Sequence, residues 1–426
     1  MSKIDKLPSS LSWQVSVELI ESFLKTDCKL DELFDQSTRE LESAVIRRVY
    51  FLAFGVVRNL GQLRYFLAGA VQKSPRKKLE AILLVAVFEL LKSEASRRPQ
   101  IVHHAVEYAR RRLSGSEARF VNAVLRKLAG SSFEPLAGTD SVKALSVNYS
   151  HPSWMVERWL AKFGETDTWA LLEWNQQIPH VYAWSEEEPA KLPSDWKVTQ
   201  WSGFYCLDQA DWKQVEACLN AGRAYIKDPS TRLGVESVKE KTYASILDLC
   251  AAPGGKSVHL QSLLNRDGGL LVSVDVPGKR FERLQENLAR YQKPGINQLQ
   301  VAKDVLQLGT ADLPQADYDL VYLDVPCSNS GVLQRRPDVK WRQSSDNLDQ
   351  LKSLQLRLIS RAARFVGQEG TLVYSTCSIE EEENQGVIQT FLEEAGSDFR
   401  MVREVNSFPW KTGHDGAYFC RMDRTI

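Results

Sequence analysis

A chain of 426 residues with 43% apolar and 25% charged side chains is long enough for two or three domains with large cores, and its composition is that of a globular protein in water. The longest apolar run, 81–88, is too short to span a bilayer, and the polar stretch Met1 to Lys6 is no signal peptide, so a cytoplasmic protein with no membrane partner is expected. Seven cysteines at wide spacings, without Cys-x-x-Cys or clustered histidines, argue against a disulfide framework and against a metal site.

The zero net charge hides an asymmetry. Residues 1–130 carry 22 Lys and Arg against 14 Asp and Glu, and the excess sharpens to 17 against 5 within 45–130. A basic lobe on an acidic body suggests a polyanion partner, although a solvated helical surface has the same signature. Apolar residues recur at three- and four-residue spacing over 11–24, 41–60, 79–91 and 101–113, so this part reads as helices throughout, with 79–91 apolar enough to be central. The run Arg110-Arg111-Arg112 closes one of these helices. The following stretch, 119–128, places Phe120, Val121, Val124, Leu125 and Leu128 on a buried face, with Arg119, Arg126 and Lys127 outside it. Its Phe-Val-Asn-Ala-Val-Leu-Arg segment resembles the closing helix of NusB-type RNA-binding domains. His103 and His104 lack further ligand types nearby and are read as lining or capping a helix.

A Ser/Gly/Pro-containing linker at 130–146 leads to Tyr149-Ser-His-Pro-Ser-Trp154, where a helix is expected to open after Pro152. Residues 160–240 mix aromatics, turns and short strand-like runs such as 181–184, and read as a small α+β connector. Its tryptophans suit core packing more commonly than base stacking. The predicted domains are 1–130 (helical, RNA-binding), 131–240 (linker and connector) and 241–426 (catalytic).

From 245 onward the pattern alternates. Strands are predicted at 245–250, 270–275, 298–302, 318–324 and 371–376, then an antiparallel pair near 400–405 and 417–422, which together describe a doubly wound, mostly parallel sheet in a multidomain α/β protein. Ile246, Leu247 and Leu249 form a buried strand that Ala251-Ala252-Pro253-Gly254-Gly255 cannot continue, and Val258, Leu260, Leu263 and Leu264 have helical spacing after it. In open α/β sheets a ligand lies outside the carboxyl end of such a strand. Asp275 ends the next strand about 20 residues later, where a ribose diol would lie. The glycines do not form Gly-x-Gly-x-x-Gly, which disfavours a pyrophosphate cradle and a nicotinamide dehydrogenase. A nucleoside cofactor without diphosphate, such as S-adenosylmethionine, fits better, although an ordinary tight βα turn has the same local pattern.

Two later strands end in cysteine-bearing turns. Asp324-Val-Pro326-Cys327-Ser328 leaves a carboxylate and a thiol, and Thr376-Cys377-Ser378 leaves a second thiol, all expected at the same face of the sheet. Ser378-Ile-Glu-Glu381 has the capping-box pattern of a helix start. A single cysteine would read as core. Two thiols and an acid beside a cofactor turn match a harder task. Cytosine C5 is a poor nucleophile until a thiolate adds at C6. An acid near N3 stabilises that adduct, and a base must then remove the C5 proton so that the thiol can leave.

Asp248-Leu-Cys-Ala-Ala-Pro-Gly-Gly-Lys256, Asp324-Val-Pro-Cys-Ser328 and Ser375-Thr-Cys-Ser378 resemble the signature motifs of the RsmB/NOP family of RNA cytosine-5 methyltransferases. Arg335-Arg-Pro-Asp-Val-Lys-Trp341 and Glu383-Asn384 continue the likeness, and with the NusB-like lobe it covers nearly the whole chain in the RsmB-type combination. That resemblance implies a Rossmann-like catalytic domain, 16S rRNA as substrate and no metal. It implies Cys377 as nucleophile, Cys327 as the thiol assisting release and Asp324 at the cytosine ring. It further implies S-adenosylmethionine held by Cys250, Ala251, Ala252, Pro253, Gly254, Gly255, Lys256, Asp275, Asp304 and Asp324, leaving S-adenosylhomocysteine as product. RNA contacts are expected at Arg110, Arg111, Arg112, Arg119, Arg126, Lys127 and Arg335, from a monomer. The chain departs from the family pattern at Gln334, at Arg232, after Asp275 in 276–279, and at 181–184. Two other readings remain open: the same chemistry on another RNA, such as a tRNA, and a non-catalytic RNA-binding or transcription factor built on the NusB-like lobe. The second would leave Asp324, Cys327 and Cys377 without a purpose.

Overall fold

A computed structural model describes residues 10–138 and 141–425. The polar stretch Met1 to Lys6, and Thr139 and Asp140 of the expected linker, lie outside the described residues. The chain forms two compact units, one of residues 1–177 with 333–343 and the other of 178–332 with 344–426. No helix among the described residues is long and apolar enough to cross a membrane.

The first unit is helical: α1 Ser10–Lys25, α2 Leu30–Thr38, α3 Ser43–Arg58, α4 Leu60–Ala68, α5 Lys77–Lys92, α6 Arg98–Arg112, α7 Gly115–Ala129, α8 Val142–Asn148 and α9 Ser153–Gln176. Every residue of α5 from Leu79 to Leu90 is buried, as expected of a helix that is apolar on all sides. Its two buried acids are both paired: Glu89 with Arg48 and with the Trp13 indole, Glu80 with Arg64 at 2.8 Å. The ring of Phe88 sits where a Cβ on Gly55 would be, so α3 and α5 approach closely because that position is glycine. Ser114 and Glu117 build a reciprocal capping box that starts α7. Two expectations change here. Phe120, placed on the buried face of α7 by its spacing, is 37% exposed, because the inward stripe is the narrower Ala118, Val121, Val124, Leu125 and Leu128. The linker at 130–146 contains the start of α8, capped by Ser141.

The segment 333–343 completes this unit. The last carbonyls of a helix have no partner within it, and those of α3 are met by this segment: Trp341 Nε1 donates to Val57 O at 2.8 Å and Lys340 Nζ to Arg58 O at 2.9 Å. Arg58 in turn donates to Gln334 O at 2.7 Å, and Asp338 accepts from Leu30 N. Burial holds Lys340 well below its ordinary range, with Arg58 acting the same way.

The second unit holds two sheets. The small one comprises β1 Tyr182–Trp184, β2 Lys197–Val198, β3 Phe204–Cys206 and β4 Tyr225–Ile226, in the order β2-β3-β1-β4 and antiparallel throughout. Trp184 and Trp196 are buried in it, so they pack rather than present a stacking face. The large sheet comprises β5 Ser245–Leu249, β6 Gly269–Asp275, β7 Ile296–Ala302, β8 Tyr318–Asp324, β9 Val366–Thr376, β10 Phe399–Ser407 and β11 Ala417–Arg424, in the order β10-β11-β9-β8-β5-β6-β7. Strands β7-β6-β5-β8-β9 pair in parallel, and β11 pairs antiparallel with both β9 and β10, so it alone is reversed. β9 begins five residues earlier than expected, and Glu369 in that added part has a φ of 57°. The helix after β5 ends at Leu260 and tightens into a 3-10 turn, Gln261–Leu263, short of the Leu264 that its spacing implied.

Candidate active site

The chain turns as soon as β5 ends. Cys250 has a φ of 58°, Gly254 one of 101°, and the Ala252–Pro253 peptide is cis. A Cβ on Gly254 would lie 2.9 Å from Leu284 Cδ1, so both backbone and space require glycine. Neighbouring elements pin the turn. Ala252 N donates to Asp275 Oδ2 at 2.8 Å, Arg280 donates to Ala252 O at 2.5 Å, and Asn287 to Pro253 O at 2.8 Å. Asp275, last in β6, accepts Val276 N through its other oxygen at 2.7 Å. The acid expected beyond the glycines is thus part of the turn's own wall. Asp304, two residues past β7, accepts from Leu306 N at 2.9 Å and caps a 3-10 turn.

Beneath the turn, Asp248 is fully buried and accepts from Ser257 Oγ at 2.5 Å, with no partner for Oδ1 among the described residues. Burial pushes this carboxyl up to about 7. Lys256 extends to Asp324 at the end of β8, with Nζ 2.6 Å from Oδ2. Burial is the largest single influence on Lys256 and opposes its charge, but Asp324, Tyr322 and Cys377 together hold the ammonium above its ordinary range. Ser375 Oγ donates to Asp324 Oδ1 at 2.8 Å. Burial pushes the Cys250 thiol up, helped by Asp275, Asp324, Asp248 and Asp304, which places all four acids around one point at the carboxyl ends of β5, β6, β7 and β8.

Both later turns converge there too. Cys327 Sγ and Cys377 Sγ are 3.2 Å apart. Their loops are tied by Glu383, a fully buried carboxylate that accepts from Ser328 N at 2.7 Å, Ser328 Oγ at 2.5 Å, Ser378 Oγ at 2.5 Å and Gln355 Nε2 at 3.0 Å. Backbone contact closes the join: Gly331 N donates to Cys377 O at 3.0 Å, where a Cβ on Gly331 would stand 2.7 Å from that oxygen. The hydrogen bond to Cys377 and then burial push the Cys327 thiol well above its ordinary range. Asn329 completes the group, with its side-chain oxygen 3.2 Å from Cys377 Sγ.

Sequence reasoning misread one detail of this corner. Ser378 Oγ accepts from Glu380 N, two residues on, and no capping box forms with Glu381. Residues 381–383 are a 3-10 turn, and the α-helix starts only at Gln385. Glu383 therefore faces inward as an anchor instead of facing solvent at a helix end. It went unassigned because two of its partners, Gln355 and Ser328, lie 28 and 55 residues away in the chain. Asn329, Ser375 and Ser257 were also missed. Only Asn329 carries a local signal, since asparagine is enriched at left-handed positions such as its φ of 61°.

One further cluster escaped the spacing argument. His180, Cys206 and Asp208 bring three metal-ligand types within 4.8 Å of one another beside the small sheet. The Asp208 carboxylate is engaged by protein donors, Val181 N at 3.0 Å and the His180 ring at 2.5 Å.

In the helical unit, a cavity of about 850 Å³ between α6 and α7 is lined by Arg98, His103, Arg110, Arg119, Asn122 and Arg126, among others. Arg110, Arg119 and Arg126 thus share one groove, whereas Arg111, Arg112 and Lys127 do not line it. Arg110 pairs with Glu107 at 2.6 Å, Arg112 with Glu18 at 3.7 Å, and Lys127 donates to Gly69 O at 2.8 Å. Arg335 is half-buried in the segment that caps α3. His104 packs edge-on against Trp13 within the bundle, as a helix-lining residue.

A parallel sheet with one reversed strand near its edge, a glycine turn after its central strand and an acid ending the next is the architecture of the S-adenosylmethionine-dependent methyltransferases. Residues 235–416 match the family model described as 16S rRNA methyltransferase RsmB/F, and residues 13–130 match that of the NusB family. Residues 235–416 are thus an RsmB/F-type methyltransferase domain, and a NusB-family domain precedes it in the sequence. It is 26% identical over 442 residues to the probable ribosomal RNA small subunit methyltransferase B of Bacillus subtilis (strain 168), covering 94% of this chain and 93% of that one. The ribosomal RNA small subunit methyltransferase B of Cronobacter sakazakii is also 26% identical, over 87% of this chain and 89% of its own. The crystal structure of PH0851 superposes with a TM-score of 0.80 at 21% identity, covering 98% and 99% of the two chains, a likeness of fold.

Proposed function

We propose that this protein transfers a methyl group to C5 of a cytosine in 16S rRNA through a covalent bond between Cys377 and C6. The observation that carries the reading is the thiol pair, 3.2 Å apart at strand ends that also bear the Asp324–Lys256 ion pair. The names of the relatives support rRNA of the small subunit as substrate, and the basic groove between α6 and α7 supports a polyanion.

The residues at the turn fit S-adenosylmethionine. Gly254 and Gly255 keep the backbone bare, Asp275 offers carboxylate lone pairs to a ribose diol, and Asp304 stands past the neighbouring strand for the adenine. Cys250, Ala251, Ala252 and Pro253 form the rest of the cradle. That cofactor, when bound, supplies an electrophilic methyl on a sulfonium. Cys377, as thiolate, adds to C6 of a cytosine flipped from its stack, and the electron pair displaced toward N3 makes C5 nucleophilic. N3 takes a proton through Asp324, which the Lys256 ammonium, 2.6 Å away, resupplies. After C5 has gained its methyl, water takes the C5 proton, the C–H electron pair forms the C5–C6 double bond and Cys377 leaves as a thiolate. Cys327, whose thiol is held protonated by its surroundings, assists that release. No metal enters this scheme.

The test is transfer of labelled methyl from S-adenosylmethionine to unmodified 16S rRNA transcript, followed by bisulfite sequencing. One protected cytosine is expected. Cofactor binding without transfer to that RNA would move the search to tRNA or assembled subunits, and wild-type turnover by Cys377→Ser would sink the mechanism.

A further inference from the structure

Asn329 lies between the two cysteines and touches both. Its backbone is left-handed, with φ 61°, a conformation that asparagine tolerates and most residues avoid. Its side-chain Nδ2 donates to Cys327 O at 2.8 Å, while Cys377 Sγ donates to its Oδ1 at 3.2 Å. The first contact settles the second. A carbonyl oxygen only accepts, so the NH2 end of the amide must face Cys327 O, and the oxygen is thereby turned to the Cys377 sulfur. The backbone secures the same residue, since Asn329 O accepts from Val332 N at 3.1 Å and Gly331 N holds Cys377 O.

We propose that Asn329 is a positioning residue for the Cys377 thiol, aiming its S–H along one fixed line and leaving the opposite side of the sulfur to Cys327. This rests on the reading of Cys377 as nucleophile. The sulfur then has one donor neighbour, Cys327 S–H at 3.2 Å, and one acceptor neighbour, Asn329 Oδ1. The order of the hydrogen bonds is Cys327 to Cys377 to Asn329. When Cys377 loses its proton, Cys327 S–H remains as a donor to the thiolate, and the amide oxygen, with no proton left to accept, becomes a repulsive neighbour. The arrangement assigns the two thiols different tasks.

Two variants separate orientation from folding. Asn329→Gly removes the amide and keeps a positive φ at no steric cost. Asn329→Asp keeps the shape and sets a negative charge against the sulfur. Alkylation of Cys377 by iodoacetamide, followed by peptide mass spectrometry across pH 6 to 10 on the full chain, needs no RNA. Relative to the wild type, Asn329→Asp is expected to move the midpoint of alkylation up by about one pH unit or more, because a like charge opposes the thiolate. Asn329→Gly is expected to alkylate at a lower or equal pH and to lose about 10-fold in kcat for methyl transfer with little change in KM, the size of one hydrogen bond. Profiles for both variants that overlay the wild type, or full kcat in Asn329→Gly, would overturn the proposal. Failure of the wild type to methylate any RNA would count against the proposed reaction alone, because the alkylation profiles report on the thiol directly.

Discussion

Lys256 and Asp324 form an ion pair of 2.6 Å that joins the glycine turn after β5 to the end of β8. The two residues are 68 positions apart in sequence; Lys256 was expected at the cofactor, and Asp324 at both cofactor and cytosine ring. Their contact makes them one unit, in which each charge compensates the other. Removing one member of a poorly solvated pair leaves the other uncompensated. Lys256→Met is therefore expected to lower kcat for methyl transfer by at least about 100-fold, or roughly 3 kcal/mol. Steady-state kinetics with both substrates varied would check it, and a variant retaining more than half of the wild-type kcat would separate Lys256 from the chemistry.

The cysteine pair makes opposite predictions for its two members. Cys377→Ser should abolish methyl transfer and still bind S-adenosylmethionine, measured by calorimetric titration. Cys327→Ala should still add to the base but release it slowly, so a protein–RNA adduct stable to denaturing electrophoresis should accumulate. An adduct in Cys377→Ser, or none in Cys327→Ala under turnover, would reverse or remove the assignment.

Asp248 links pH to stability. Its carboxyl is raised from an ordinary 3.8 to about 7, so the folded state holds the proton more tightly than the unfolded chain. The resulting stabilisation is fully present below pH 3.8 and is lost as pH rises through 7, up to about 4 kcal/mol at full burial. Asp248→Asn should flatten that loss. Scanning calorimetry of wild type and variant from pH 5 to 8 is the check, and equal slopes would mean that Asp248 ionises in the fold without penalty.

The groove between α6 and α7 predicts a salt signature. Arg119 and Arg126 line it, and no ion pair or side-chain hydrogen bond holds them among the described residues. Arg119→Glu with Arg126→Glu should weaken RNA binding and reduce the slope of log affinity against log salt by about two or more. Fluorescence anisotropy over a salt series measures this. A slope identical to the wild type would mark these arginines as solvated surface.

Much of the catalytic unit was legible because it is locally encoded. Apolar runs such as 246–249 and 320–323 are strands whatever surrounds them, and the rule that ligands lie at carboxyl ends of parallel strands brought Asp275, Asp324, Cys327 and Cys377 together before any contact was known. What periodicity could not supply was partner choice. Glu383 reads as one of four glutamates until Ser328, at the end of a distant strand, is found donating to it. Phe120 has the spacing of a core residue, yet the core of α7 is filled by smaller neighbours. Lys340 and Trp341 looked like part of the catalytic motif set, but their hydrogen bonds go to the open end of α3.

That last arrangement has a consequence for biosynthesis. The helical unit is unfinished when residue 177 is made, since α3 still lacks the donors at 340 and 341. A ribosome must add more than 150 further residues, including β1 to β8, before the missing piece emerges. The amino-terminal helices therefore wait, with the end of α3 short of those two donors, while most of the later unit is synthesised. The two units are interleaved in time as well as in sequence, and a cut anywhere between 177 and 333 would separate the first from its own closing segment.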